Sequence, residues 1–210
     1  MYLSRLILNP RNRRVRAELA QLYELHRTIM HAFPSALPAD ERVLFRLDTP
    51  RDGVLSLLVQ SQGAPNWTFL QDGDARGHLL ETSQPNPWVK TVTLRLSPGQ
   101  VLAFRLRANP TVKRTGRRLG LLTEEAQCEW LARKGLAGGF QPLEVRVDNQ
   151  GLVRGRAVQD GTPRTLSFTA IQYEGMLRVH DPAKLQKCVN DGVGSAKGLG
   201  FGLLSLAPIR

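Results

Sequence analysis

Two cysteines in 210 residues, Cys128 and Cys188, are too few for a disulfide framework. With no Cys-x-x-Cys pair, they also exclude a cysteine-based zinc site, and the simple reading is two free thiols in a reducing compartment. Aromatic residues make up only 6%, which argues against a sheet that stacks RNA bases on exposed rings. Acidic residues are short as well: 18 Asp and Glu stand against 29 Lys and Arg. No apolar run approaches membrane-spanning length. The N-terminus has too short an apolar core for a signal peptide and reads as a strand, so the expected location is the cytoplasm. His26, His31, His78 and His180 show no ligand spacing with one another or with cysteine, and no paired carboxylates recur. No metal and no cofactor is therefore expected. A Gly-x-Ser-x-Gly nucleophile elbow is missing too.

What is present is positive charge. A formal net charge of +11 favours polyanions through steering and counterion release. Nucleic acid is the leading partner class and an anionic membrane the second; a solubility charge is the plain alternative. A hydrophobic share of 41% suffices for real cores, and the length allows two small domains.

The order of elements supports two domains. Residues 3–8 form a first strand, stopped by Asn9-Pro10, and a helical stretch runs from about Arg13 to Phe33. Residues 43–47 and 54–59 read as a strand pair around Thr49-Pro50-Arg51-Asp52-Gly53. A loop-rich region follows, with one short helix near Trp67 to Leu70, and then a strand over 89–96. Strand, helix, strand, strand, poor helix, strand is a ferredoxin-like unit. Ser97-Pro98-Gly99 is the expected linker.

After the linker come a strand over 101–107 and a basic loop, Asn109 to Arg118. Thr123 caps a helix with Glu124 and Glu125 in its first turn, ending by Gly135. Strands are expected over 143–147, 152–158, 165–173 and 176–179, with turns at Asp148-Asn149-Gln150-Gly151 and Asp160-Gly161. Asp181-Pro182 opens a helix, cap first and proline at the first helical position, which ends at Asn190-Asp191-Gly192. The last strand spans 202–207. Without the extra hairpin, the ferredoxin-like order appears a second time. The expectation is an α+β protein of two tandem ferredoxin-like domains, 1–96 and 100–210.

Three features carry chemistry. The tail from Gly192 to Gly202 is rich in glycine but is no P-loop, because Lys197 precedes its glycine and the segment follows a helix to open a strand. Such backbone bends freely, approaches a ligand closely and presents amides to an anion; with Lys197 alongside, an RNA phosphate is a reasonable guest of Gly194, Ser195, Lys197 and Gly198. Two basic clusters, Lys113, Arg114, Arg117 and Arg118 in the loop and Arg154, Arg156 and Arg164 in the hairpin, extend this into an RNA track.

The third feature is Leu22-Tyr23-Glu24-Leu25-His26-Arg27. Helical neighbours three and four apart share a face, so Tyr23 reaches both His26 and Arg27. A phenol, an imidazole and a guanidinium are what phosphodiester cleavage requires. One continuous helix from Arg13 puts His26 in the middle of the apolar stripe, as a buried histidine. A break near Ala20-Gln21 moves it to the edge of a stripe of Leu22, Leu25, Ile29 and Phe33. Only the second geometry suits catalysis.

The ordered set Leu8-Asn9-Pro10, Tyr23-Glu24-x-His26-Arg27-Thr28, Pro98-Gly99-Gln100 with Phe104 to Pro110, Tyr173-Glu174-Gly175 and the glycine-rich tail ending Gly202-Leu203-Leu204-Ser205 resembles the CasE family. These are the CRISPR repeat-processing endoribonucleases of type I-E Cascade, and the resemblance runs nearly end to end. It implies tandem ferredoxin-like domains, a CRISPR precursor RNA substrate cut at the base of the repeat hairpin, no metal, and a product retained with the other Cascade subunits. Metal-free cleavage uses the RNA's own 2'-hydroxyl and leaves a 2',3'-cyclic phosphate. His26 is expected to move the proton, as base or acid, with Tyr23 orienting the ribose or phosphate or sharing the proton work, and Arg27, together with Lys197, holding the phosphate. The alternative is a non-catalytic RNA-binding subunit of the same superfamily.

Overall fold

The structure is a computed structural model that describes residues 1–38, 41–48, 53–71, 75–115, 117–159 and 162–209; the side chains of residues 117, 156–159 and 162–165 lie outside that description. The chain forms two compact units. The first holds residues 1–93 together with 198–200, and the second holds residues 94–197 and 201–210.

The first unit is built from β1 (Tyr2–Ile7), α1 (Arg13–Ala20), α2 (Leu22–Met30), β2 (Leu44–Asp48), β3 (Ser56–Ser61), a short helical turn at Thr68–Leu70 and β4 (Trp88–Thr91). Its sheet is antiparallel in the order β2-β3-β1-β4, the ferredoxin-like arrangement. Side chains alternate faces along a strand, so Ser4, Leu6 and Leu8 all enter the core. The buried Ser4 hydroxyl is satisfied by the Trp67 indole N–H at 3.0 Å. β4 is shorter than the sequence predicts because its partner runs out: the Val92 N–H already pairs with the Met1 carbonyl.

The second unit comprises β5 (Val101–Ala108), β6 (Thr111–Arg114), β7 (Arg117–Gly120), α3 (Glu124–Ala137), β8 (Phe140–Gln159), β9 (Thr162–Val179), α4 (Pro182–Asp191) and β10 (Leu204–Pro208). Its sheet order, β10-β5-β9-β8, repeats the first. Along β5, Leu102, Phe104, Leu106 and Ala108 are buried with period two. Both helix starts follow the sequence: Thr123 Oγ1 accepts from the Ala126 N–H, and Asp181 accepts from the Lys184 N–H with Pro182 behind it.

Two expectations need correction. The basic stretch after Pro110 is a hairpin, β6 paired with β7, rather than a loop. Asp148 to Gly151 is a bulge inside the continuous strand β8 rather than a turn: the register shifts between Asn149 and Leu152, and Asn149 Oδ1 accepts from the Gly151 N–H. The same Asx chemistry serves either geometry, and pairing with β9 on both sides selects the bulge. The expected continuation of 165–173 into 176–179 past Glu174-Gly175 is one unbroken strand, β9. Gly175 does not break it; it lets two backbones meet, since a Cβ there collides with the Glu144 carbonyl. Gly175→Ala is therefore expected to lower stability by about 1–3 kcal/mol, read as a fall in the thermal midpoint. The turns expected at 49–52 and at Asp160-Gly161 lie outside the described residues.

Candidate active site and nucleic-acid interface

The helical stretch breaks at Gln21, the second of the two geometries that the sequence allows. Gln21 leaves helical geometry at φ −136°, ψ 85°, although its N–H still closes α1 and its carbonyl opens α2. Leu22, Leu25 and Ile29 face the core; His26 is half-buried at the edge, and Tyr23 is 51% exposed. The imidazole stacks on Phe45 of β2, with centroids 6.0 Å apart and planes 15° apart. The Tyr23 ring lies 6.5 Å away. Against the other edge of the imidazole runs the backbone of Gly198: a Cβ at that glycine would sit 3.6 Å from His26 Cδ2 and 3.7 Å from Nε2.

This environment sets the charge of the ring. Nδ1 is buried and has no hydrogen-bond partner among the described residues. Burial disfavours the cation and holds the His26 imidazole below its ordinary pKa, so the neutral form dominates at pH 7. Arg27 pairs with Glu24 at 3.1 Å on the exposed face of the same helix. An exposed pair of this kind contributes little and leaves the guanidinium available to a phosphate.

In the second unit, Lys113, Arg118, Lys134 and Lys197 line one open cavity of about 720 Å³ with Gly194 and Ser195. The backbone beside it is unusual. φ is positive at Gly192, Gly194 and Ala196, and changes sign at the residues between them. Alternation of this kind gathers successive amides around an anion. The hairpin next to it sets like charges opposite each other, with Lys113 paired to Arg118 across the ladder. Such pairs are destabilising on their own.

A profile of the family described as CRISPR associated protein matches residues 1–208. The chain belongs to the CasE family of CRISPR-associated proteins. It is 38% identical over 221 residues to the CRISPR-associated endoribonuclease Cse3 of Thermus thermophilus, covering 99% of this chain and 100% of that protein. With the CRISPR system Cascade subunit CasE of Escherichia coli it shares 32% identity over 228 residues, covering 100% of each. Among solved structures, CRISPR endoribonuclease Cse3 bound to a 19 nt RNA has a TM-score of 0.86 at 35% identity, covering 99% of this chain and 100% of that one.

In this CasE chain, the residues singled out from sequence divide into groups. Tyr23, His26 and Arg27 share the first unit with Gly198. Lys113, Arg118, Gly194, Ser195 and Lys197 meet at the cavity. Arg114 and Arg154 are exposed but line no part of it. The side chains of Arg117, Arg156 and Arg164 lie outside the described residues. Sequence reasoning missed Lys134, which reads as an ordinary dipole partner in the last turn of α3. Both cysteines are free, and burial pushes the Cys188 thiol up to about 11, far from thiolate chemistry. No helix among the described residues is long and apolar enough to cross a membrane.

Proposed function

We propose that this CasE family member is an endoribonuclease that cuts CRISPR precursor RNA at the base of the repeat hairpin and stays with the product as a Cascade subunit. The observation that carries the reading is the break at Gln21, which brings a mostly neutral imidazole to the open edge of α2 beside Tyr23 and Arg27. The names of its relatives, an endoribonuclease and a Cascade subunit, support the same reading. The like-charged hairpin and the basic cavity of the second unit call for a polyanion to relieve them.

The chemistry needs only the RNA and these side chains. Neutral His26 takes the proton of the 2'-hydroxyl as O2' attacks the adjacent phosphorus. The bond to the 5'-oxygen breaks, that oxygen picks up a proton, and the products are a 2',3'-cyclic phosphate and a 5'-hydroxyl. Tyr23 orients the ribose or phosphate, and Arg27 holds the charge that develops on the phosphoryl oxygens.

The test is to incubate the protein with an end-labelled repeat hairpin and analyse the ends of the fragments. One discrete cut with a cyclic phosphate end, unaffected by EDTA, is expected. Because the working form of His26 is neutral and its pKa is depressed, the rate should rise with pH through a midpoint below the usual 6.5 and then stay level. A rate that falls above that midpoint would make His26 the acid instead. Tight binding with no cut would reassign the chain as a non-catalytic RNA-binding subunit.

A further inference from the structure

α2 is nine residues long and starts at Gln21 without a side-chain cap. Its buried Leu22, Leu25 and Ile29 hold it down, but apolar contacts have no direction and do not fix its rotation. Thr28 does. Its hydroxyl donates to Glu18 Oε1 at 2.6 Å and accepts from Arg14 Nη2 at 3.4 Å. Among the described residues, these are the only side-chain hydrogen bonds that tie α2 to another element.

The far side of this connection is firmly held. Glu18 on α1 also accepts from Arg14 Nε at 3.0 Å and meets His78 Nε2 at 2.7 Å. Glu18 is 3% exposed and His78 1%. The His78 carbonyl accepts from the Asn9 N–H, and Leu79 bridges Leu8. The cluster thus hangs from the end of β1. Burial alone pushes the Glu18 carboxyl up, but hydrogen bonds from His78, Thr28 and Arg14 outweigh it and keep the pKa below its usual value. An ionised carboxylate at this depth persists only with its lone pairs filled, so the geometry around it is stiff.

We propose that the Glu18–Thr28–Arg14–His78 cluster is the positioning device for His26, setting the rotation and register of α2 so that the imidazole lies between Phe45 and Gly198. The proposal rests on the reading of His26 as the proton-transfer residue. Thr28 follows His26 by two positions, which places it roughly 200° around the helix axis. A hydrogen bond pulling on one side of the helix therefore fixes the ring on the other. A rotation of roughly 20° would swing a side chain about 6 Å from the axis by about 2 Å, and misplacement by 1 Å is enough to cost about a hundred-fold in rate.

Thr28→Val tests this, because it keeps the shape and removes the hydroxyl. The variant should melt above the assay temperature, bind the repeat hairpin as wild type does, and cleave about a hundred-fold more slowly in a single turnover. Its His26 titration, followed by NMR without RNA, should move up toward that of a free imidazole as the ring leaves its buried seat. Thr28→Ser should restore both. If Thr28→Val does not fold, Thr28→Ala, which also removes the hydroxyl, takes the same measurements. A wild-type titration midpoint in a folded variant overturns the proposal, and so does a lower melting point with an unchanged rate. The titration does not depend on cleavage. Full activity in His26→Ala would instead strike the functional reading and leave the titration result standing.

Discussion

His26→Ala is expected to slow hairpin cleavage by roughly a hundred- to ten-thousand-fold, the usual range for a general acid–base group, with the affinity for the same hairpin unchanged. The split follows from position. His26 lies in the first unit against Phe45 and Gly198, while the clustered cations lie in the second. The substitution removes a ring that is mostly neutral at pH 7 and so takes away no phosphate-binding charge. Because α2 keeps its buried face of Leu22, Leu25 and Ile29, the fold should survive. Single-turnover cleavage and a filter-binding titration on one preparation give both numbers. Cleavage at the wild-type rate would remove His26 from the chemistry. An equal loss of rate and affinity would make it a binding residue.

The second large effect is on salt dependence. Replacing Lys113, Arg118, Lys134 and Lys197 together by glutamine should flatten the plot of log affinity against log salt by about 3 units, at roughly 0.7–0.9 for each phosphate that is no longer neutralised. Between about 50 and 200 mM salt, wild type should then lose roughly a hundred-fold more affinity than the variant. The four side chains line one cavity, so they are expected to act on neighbouring phosphates rather than as scattered surface charge. Lys134 also sits over the Trp130 ring, 5.8 Å from its centroid, which keeps its stem in place while its charge stays available. An unchanged slope would mean that these lysines and the arginine face solvent in the complex. The catalytic rate at saturating RNA should fall far less than in His26→Ala.

Much of this was readable in the residues, and the failures have physical causes. Thr123 before α3 and Asp181-Pro182 before α4 are local signals, and each of these helices starts where its cap says. The break at Gln21 is different. No proline or glycine marks it, so the apolar stripe alone admitted both one helix and two. Tertiary contacts decide: the corner lets Thr28 reach back to Glu18. That cluster could not be seen in sequence, since His78 stands sixty positions from Glu18 and no spacing rule joins them. At Asp148 to Gly151 the turn chemistry was real but the pairing partner was unknown, and β9 turned an apparent reversal into a bulge. The glycine-rich setting suggests a phosphate beside Gly198; that a Cβ there would also lie 3.6 Å from the His26 ring is a neighbour that no spacing rule shows.

Residues 198–200 complete the first unit, yet the ribosome makes them only after the whole of residues 94–197. Domains of a growing chain generally fold from the N-terminus onward as they emerge. Here the sheet β2-β3-β1-β4 can form early, with Tyr23, His26 and Arg27 already on α2. The backbone beside the imidazole arrives only after residues 94–197. A nascent chain that stops short of it carries Tyr23, His26 and Arg27 without that enclosure. The order of synthesis leaves the first unit open until most of the second has been made.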